Sequence, residues 1–458
     1  MQSLWGVRLT KTQGQQRPHQ RTDTPPRQGF GPWMSMAMVV GTLIGSGIFL
    51  LPAVLAPYGP NIPIAWTISI GGTFCIAFCM AQLAKCIPGG PVVYITQAFG
   101  DLAAFVAMWS YIVTIWSGLA AVALAAAGAL SYALPATGTA AGLFTVAAGS
   151  ILILMVVNLL GIRTAGRLQV VATLIKLIPL VLVLLFVAAH AGQGQALQPL
   201  APTPLSFGGI LAASSLTLFS LTGFEVGPIT APVTENAERN VPRAQVWGVA
   251  FTGLLYLAAT MAVLWILPSD TAAHSKAPFA DAIAPVLGQS AGVFVAIIVA
   301  ISAFGANNAL MLGGAEVLHS IARRGDLPPV VARISKNGVP GPAIIVSTIV
   351  AVLLLTFSSA PSFVEIYAFV SLVSAVGGLI LYAVCSAAAL KLKRTGGALG
   401  TLLAVIAIFY SIAMFFGAGW KATSWGIALA AAGLPIRWVS RRLWPNREAA
   451  ESRAAPRG

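Results

Sequence analysis

Two charged side chains stand in the middle of strongly apolar sequence. Lys176 sits in Thr173-Leu174-Ile175-Lys176-Leu177-Ile178-Pro179, and Glu225 in Phe219-Ser220-Leu221-Thr222-Gly223-Phe224-Glu225-Val226-Gly227-Pro228. Both lie within apolar runs, 168–189 and 206–233, long enough to cross a bilayer, where an ionisable side chain is costly and marks a functional site by default. Lys176 lies about ten residues beyond Arg167, or roughly 15 Å along a helix. Its ammonium either carries a proton or acts as a fixed cation; the competing reading is snorkelling to the interface. Glu225 either faces a cavity and handles protons or is neutralised by one neighbour that ties two helices together.

A third element offers chemistry through its backbone. Gly41-Thr42-Leu43-Ile44-Gly45-Ser46-Gly47-Ile48-Phe49 lies inside the apolar run Met34–Tyr58. Glycine gives up helix propensity, and lipid supplies no substitute hydrogen bonds. A break is tolerable where the freed amides and carbonyls line a cavity, as in transporters that aim half-helix ends at a charged ligand. The alternative is a packing notch, since small residues let membrane helices approach closely. Tyr111, Thr114 and Ser117 share a helix face by i,i+3 spacing, and either line a cavity or pack against neighbours. Covalent or metal chemistry has little to build on. His19, His190, His274 and His319 are far apart, and Cys75 and Cys79 lack a third ligand and read as buried small residues. No cofactor or metal is expected, and a membrane enzyme is disfavoured.

The elements that must position these groups follow from composition. The chain is 57% hydrophobic and 8% charged, against about 25% charged residues in soluble domains. Apolar windows of about 20 residues predict an all-α integral membrane protein of about twelve transmembrane helices. They fall near 34–58, 62–84, 103–133, 140–160, 168–189, 206–233, 244–267, 290–320, 343–358, 362–390, 398–418 and 422–438. Of the 26 Lys and Arg, only Lys276 and Lys421 fall on one side and Lys176 within a span. All the rest lie on the other side, which places both termini in the cytoplasm. The net charge of +14 is thus a topology signal with some attraction to membrane lipid, and not a nucleic-acid surface.

Residues 1–33 read as a disordered cytoplasmic tail and 439–458 as a basic one. Between them, the first and sixth spans both carry a break and enter from opposite faces. This predicts a 5+5 inverted repeat, 34–190 and 206–391, with 398–438 as two peripheral helices. Tyr94–Asp101 reads as a connector too short to cross, and Ala280–Leu287 as a surface lid beside Asp270, His274, Lys276 and Asp281. Thr234–Ala244 reads as a charged cytoplasmic loop. Glu316 and Arg323 are expected to pair, and Asn307 or Asn308 either offers an oxygen to the first break or bonds a neighbouring helix.

Gly45-Ser46-Gly47-Ile48-Phe49 with Leu51-Pro52, Pro88-Gly89-Gly90, Gly223-Phe224-Glu225 and Asn240-Val241-Pro242-Arg243 together resemble the amino acid–polyamine–organocation transporters. The likeness runs from about Pro32 through span ten and is closest to the arginine/agmatine antiporter branch. It implies the leucine-transporter type of repeat with broken helices 1 and 6. It also implies a substrate carboxylate at the amides of Ser46 and Gly47, within the segment Leu43, Ile44, Gly45, Ser46, Gly47. The amino group would meet carbonyls near Leu43, Phe219 and Thr222, beside Gly223, with Phe219 as the gate. Lys176 and Glu225 become the proton-coupling residues, and Tyr111 and Thr114 candidate lining. Departures bear on the substrate. The branch has Trp where this chain has Phe219, its third-helix Asn falls on Leu119, and its eighth-helix Trp falls near Leu310. Guanidinium recognition is weakened and a neutral side chain enters consideration.

The expected function is secondary active transport of amino acids across the inner membrane by alternating access, driven by protons or by exchange. A cationic amino acid or polyamine antiporter is the alternative, and an occluding gate argues against a channel. The expected partners are a small amino acid or amine, protons and membrane lipid; a homodimer stays open.

Overall fold

The computed structural model describes residues 32–45, 47–87, 89–161, 166–194, 196–225, 236–356 and 362–445. Ser46, Pro88, Arg163, Pro228, nearly all of the expected N-terminal tail and the C-terminal tail beyond residue 445 lie outside them. The described residues form helices joined by turns. In chain order these are α1 (Pro32–Leu43), α2 (Gly47–Leu55), α3 (Asn61–Cys86), α4 (Pro91–Phe99), α5 (Asp101–Ala133), α6 (Ala140–Leu159), α7 (Gly166–Gly192) and α8 (Phe207–Ser220). There follow α9 (Ala237–Ile266), α10 (Ser269–His274), α11 (Pro278–Leu287), α12 (Gln289–Arg323), α13 (Gly341–Thr356), α14 (Phe363–Lys391), α15 (Ala398–Gly417) and α16 (Gly419–Leu443).

Among the described residues, eight helices are long and apolar enough to cross a membrane. Side chains that a soluble protein would bury face outward at helical spacing. Examples are Leu152, Ile153 and Val156 on α6, Phe294, Ile297 and Ile301 on α12, and Leu402, Ile406 and Phe409 on α15. Apolar faces this broad need lipid or another protein to cover them. The apolar stretch of α5 is instead wholly buried, packed between α12 and α14, while α3 lies on α9 and α8 lies on α3 and α15.

The breaks sit where glycine falls in the apolar runs. α1 stops at Leu43 and α2 starts at Gly47, and α8 stops at Ser220 before a turn over 221–225. Gly223 takes φ +118°, a conformation that a side chain would strain. The expected connector Tyr94–Asp101 belongs mostly to α4, a nine-residue helix closed by Gly100 at φ +86°. The expected lid is α11, whose Phe279 stacks edge-on against Phe49 with ring centroids 5.4 Å apart. Lys276 holds the adjoining loop through the Gly138 carbonyl at 2.7 Å. Burial raises the Asp281 carboxyl above the usual carboxylate range, against the lowering effect of the Ser275 hydroxyl that donates to it.

Two expectations need correction. From Ala237 onward the expected charged loop is helix; Pro242 falls in its second turn, where few helical bonds are lost. Glu316 is exposed and makes no ion pair with Arg323. The charges at that end of the bundle reach across elements instead. Asp326, only 2% exposed, accepts from Arg437 at 2.8 Å and from Arg441 at 2.7 Å, both on α16. Arg437 also lies over the Phe105 ring at 4.9 Å, and Arg324 pairs with Asp101 at 3.2 Å. The last helix is thereby tied to the start of α5 and the end of α12.

Removing one partner of a buried pair leaves an uncompensated charge. Arg437→Ala should therefore destabilise the protein by up to about 3 kcal/mol, with Arg441 covering part of the loss. Thermal unfolding in detergent should show a midpoint several degrees lower; an unchanged midpoint would mean that the pair holds nothing together.

Candidate functional site

Both helix breaks open onto one cavity of about 110 Å³. A single water needs only about 10–15 Å³ on such a measure, so the space suits a small solute and is no mere packing gap. Its walls come from the α1 end, the start of α2, the turn after α8, and the facing sides of α5, α7, α12 and α14.

The freed backbone groups are met from distant helices. The Leu43 carbonyl accepts from the Tyr256 hydroxyl on α9 at 2.8 Å, and the Gly41 carbonyl from Lys176 Nζ at 3.3 Å. The Gly47 carbonyl accepts from the Tyr367 hydroxyl on α14 at 2.6 Å. The two breaks also touch each other, since Thr42 Oγ1 donates to the Gly223 carbonyl at 3.1 Å. Within the second break, the Gly223 amide donates to Glu225 Oε2 at 3.0 Å, and the Tyr382 hydroxyl donates to the same oxygen at 3.3 Å. Gln245 secures the Phe224 carbonyl at 3.2 Å. Glu225 and Lys176, at 3% and 1% exposure, are therefore held in place by the backbone and side chains around the breaks.

Of the residues singled out from sequence, Leu43, Gly45, Gly47, Tyr111, Thr114, Lys176, Phe219, Thr222, Gly223 and Glu225 all border this cavity. Ile44 does not: its side chain is buried in the core and its amide bonds the Val40 carbonyl at 2.8 Å. Ser46 lies outside the described residues. Phe219 crosses the Tyr367 ring edge-on at 6.2 Å and lies against Gly47, where an added Cβ would come within 3.2 Å of its ring. The carbonyls of Leu43 and Phe219 each accept two bonds, Leu43 from the Tyr256 hydroxyl and from the Gly45 amide at 2.7 Å, and Phe219 from the Thr222 hydroxyl at 2.7 Å and the Thr222 amide at 3.2 Å. An ammonium there must displace one of these donors.

Asn307 and Asn308 bond neighbouring helices and do not reach the break. Asn307 donates to the Leu119 carbonyl at 3.2 Å, and Asn308 accepts from Asn158 at 2.8 Å. Leu119 does not border the cavity; Gly118 and Val122 on the same helix do, with Ile115, Ala306 and Leu310. Sequence reading named Leu310 as an aligned pocket position but missed Ile115, Gly118, Val122 and Ala306 and the clamps Tyr256, Tyr367 and Tyr382. The clamps carried a signal, since a tyrosine in an apolar helix needs a partner for its hydroxyl, but the partner is set by tertiary packing. Among the described residues no three His, Cys, Asp or Glu side chains converge as metal ligands, and Cys75, Cys79 and Cys385 are buried and free.

Comparison with known proteins extends this geometry. A sequence model of the amino acid permease family matches residues 30–434. The chain is 29% identical over 329 residues to the cadaverine/lysine antiporter of Escherichia coli K12, covering 70% of this chain and 72% of that protein. It is 26% identical over 396 residues to the putrescine transporter PotE of Haemophilus influenzae, covering 84% and 90%. With a family match spanning nearly all its described helices, the chain belongs to the amino acid permease family and is a membrane transporter, not an enzyme.

Proposed function

We propose that the cavity between the two breaks is the binding site for an amino acid or amine, carried across the inner membrane by alternating access. The observation that carries this reading is the convergence of both broken segments, with Lys176 and Glu225, on one cavity. The start of α2 at Gly47 supplies first-turn amides, which have no partner within the helix, and a positive dipole end for a carboxylate. The carbonyl side of the α1 and α8 ends offers acceptors for an ammonium. Phe219 is the gate that closes over the ligand.

The packing supports a twelve-span, five-plus-five inverted repeat of residues 34–190 and 206–391, with 398–438 peripheral. Under a shift of five spans, the α1–α9 contact maps onto α8–α3, α1–α7 onto α8–α14, and α7–α9 onto α14–α3. The pairs α3–α9, α5–α12 and α6–α13 map onto themselves. The basic loops and tails then lie in the cytoplasm. Lys176, bonded to the Gly41 carbonyl, couples protonation to the shape of the first break. Glu225, bonded to the Gly223 amide, does the same for the second. The names of the two relatives keep amine exchange as a second reading.

The test is uptake of labelled amino acids and diamines into proteoliposomes, with and without an inward proton gradient or internal counter-substrate. Stimulation by either drive supports the reading, and uptake of nothing under both would end it. Gly47→Leu should abolish uptake while leaving the protein monodisperse and folded, because the new side chain collides with Phe219 and fills the carboxylate position. Undiminished uptake would remove the site assignment. Lys176→Gln should erase stimulation by a proton gradient while leaving substrate exchange in place; retained stimulation would make Lys176 a structural residue.

A further inference from the structure

We infer that the solute carried in this cavity has an uncharged, largely apolar side chain, selected by the wall that Ile115, Gly118, Val122, Ala306 and Leu310 build. The inference rests on the cavity being the substrate site and says which substrates it takes. This wall stands across from the first break: a Cβ placed on Gly45 would lie 3.8 Å from Ala306 Cβ. Val122 and Ala306 belong with Ala126 and Ala303 to a compact apolar cluster separate from the main core, and Leu310 packs against it. A solute anchored by its carboxylate and ammonium at the breaks therefore turns its side chain toward methyl groups. The two asparagines near this turn of α12 are directed elsewhere, the Asn307 amide to the Leu119 carbonyl and Asn308 to Asn158.

The charges bordering the cavity point the same way. Among its described lining residues the carboxylate is Glu225 and the ammonium is Lys176. Glu225 is engaged by the Gly223 amide and by the Tyr382 and Tyr111 hydroxyls, so its carboxylate is already occupied by donors. A buried charge is tolerated only when paired and hydrogen-bonded. A lysine side chain or a diamine would bring a second ammonium into a space that already holds Lys176. It would meet a wall whose polar atom, Ser374 Oγ, is neutral and donates to the Thr114 carbonyl, with no carboxylate among its described residues to balance the charge. An aliphatic side chain meets no such penalty and gains apolar burial. The chain thus departs in substrate from relatives named for lysine, cadaverine and putrescine.

The test is counterflow in proteoliposomes loaded with unlabelled leucine, alanine, lysine or putrescine and given the same solute in labelled form outside. The wild-type protein should exchange leucine at least about tenfold faster than lysine or putrescine. Gly118→Ala provides the second arm. Its new Cβ would lie at ordinary contact distance, 3.5 Å from Ser374 Oγ and 3.7 Å from Leu310 Cδ1, so the helix accepts it. Because it narrows the side-chain space, the leucine-to-alanine rate ratio should fall by about tenfold, the scale of one methyl group in an apolar pocket. Lysine or putrescine exchange equal to or above leucine exchange overturns the inference and leaves the transport reading standing. An unaltered leucine-to-alanine ratio in Gly118→Ala also overturns it, since the wall would then not touch the side chain. Absence of exchange for all four solutes defeats the transport reading itself, and the inference with it.

Discussion

Everything in this molecule depends on how a membrane protein satisfies backbone groups that a broken helix sets free. In hydrocarbon each unpaired amide or carbonyl costs several kcal/mol, so a break can exist only where other helices send donors to it. Here Tyr256 reaches Leu43, Tyr367 reaches Gly47, Lys176 reaches Gly41, and Thr42 joins the first break to Gly223 in the second. These bonds come from α9, α14, α7 and α1. The breaks are thus the points at which the bundle is tied together, and the cavity is what is left between the ties.

This arrangement explains why the charged side chains are tolerable. Lys176 and Glu225 would be prohibitive in lipid, but each bonds a backbone group that the breaks expose. A change in protonation at either residue alters a bond to the break itself. In the proposed cycle the ionisable groups therefore act on helix geometry, and the solute's own charged groups compete for the same backbone. Helix α11 and the Asp326–Arg437 tie lie outside this centre. Phe279 covers Phe49 at one end and α16 clasps the other, so in the proposed cycle opening on either face requires contacts far from the solute to yield.

The eight long apolar helices were legible because bilayer thickness imposes a run length that composition alone reveals. The first and sixth breaks were legible because Gly45, Gly47 and Gly223 are out of place in apolar helices. The charged pair stood out for the same reason. What was not legible depends on which helix lies beside which. Glu316 and Arg323 are spaced for pairing along one helix, yet Glu316 faces outward while the neighbouring Arg324 crosses to Asp101. Leu119 was the aligned pocket position, yet the rotation of α5 presents Gly118 and Val122 instead. Asp326 and Arg437 are separated by more than a hundred residues, and no local pattern could have joined them. The wall that sets the side-chain preference belongs to this second class, which is why the sequence left neutral and cationic solutes both open.

The central claim, that one cavity between the breaks is reached alternately from the two faces, can be tested with a single thiol. Ala306→Cys places it against the first break, and Cys86, the exposed native cysteine, would be replaced by serine. The account predicts that an impermeant thiol reagent modifies this cysteine from either face of oriented vesicles, and that transported solute slows modification from both. Modification from one face only, or at a rate that no transported solute alters, would contradict it.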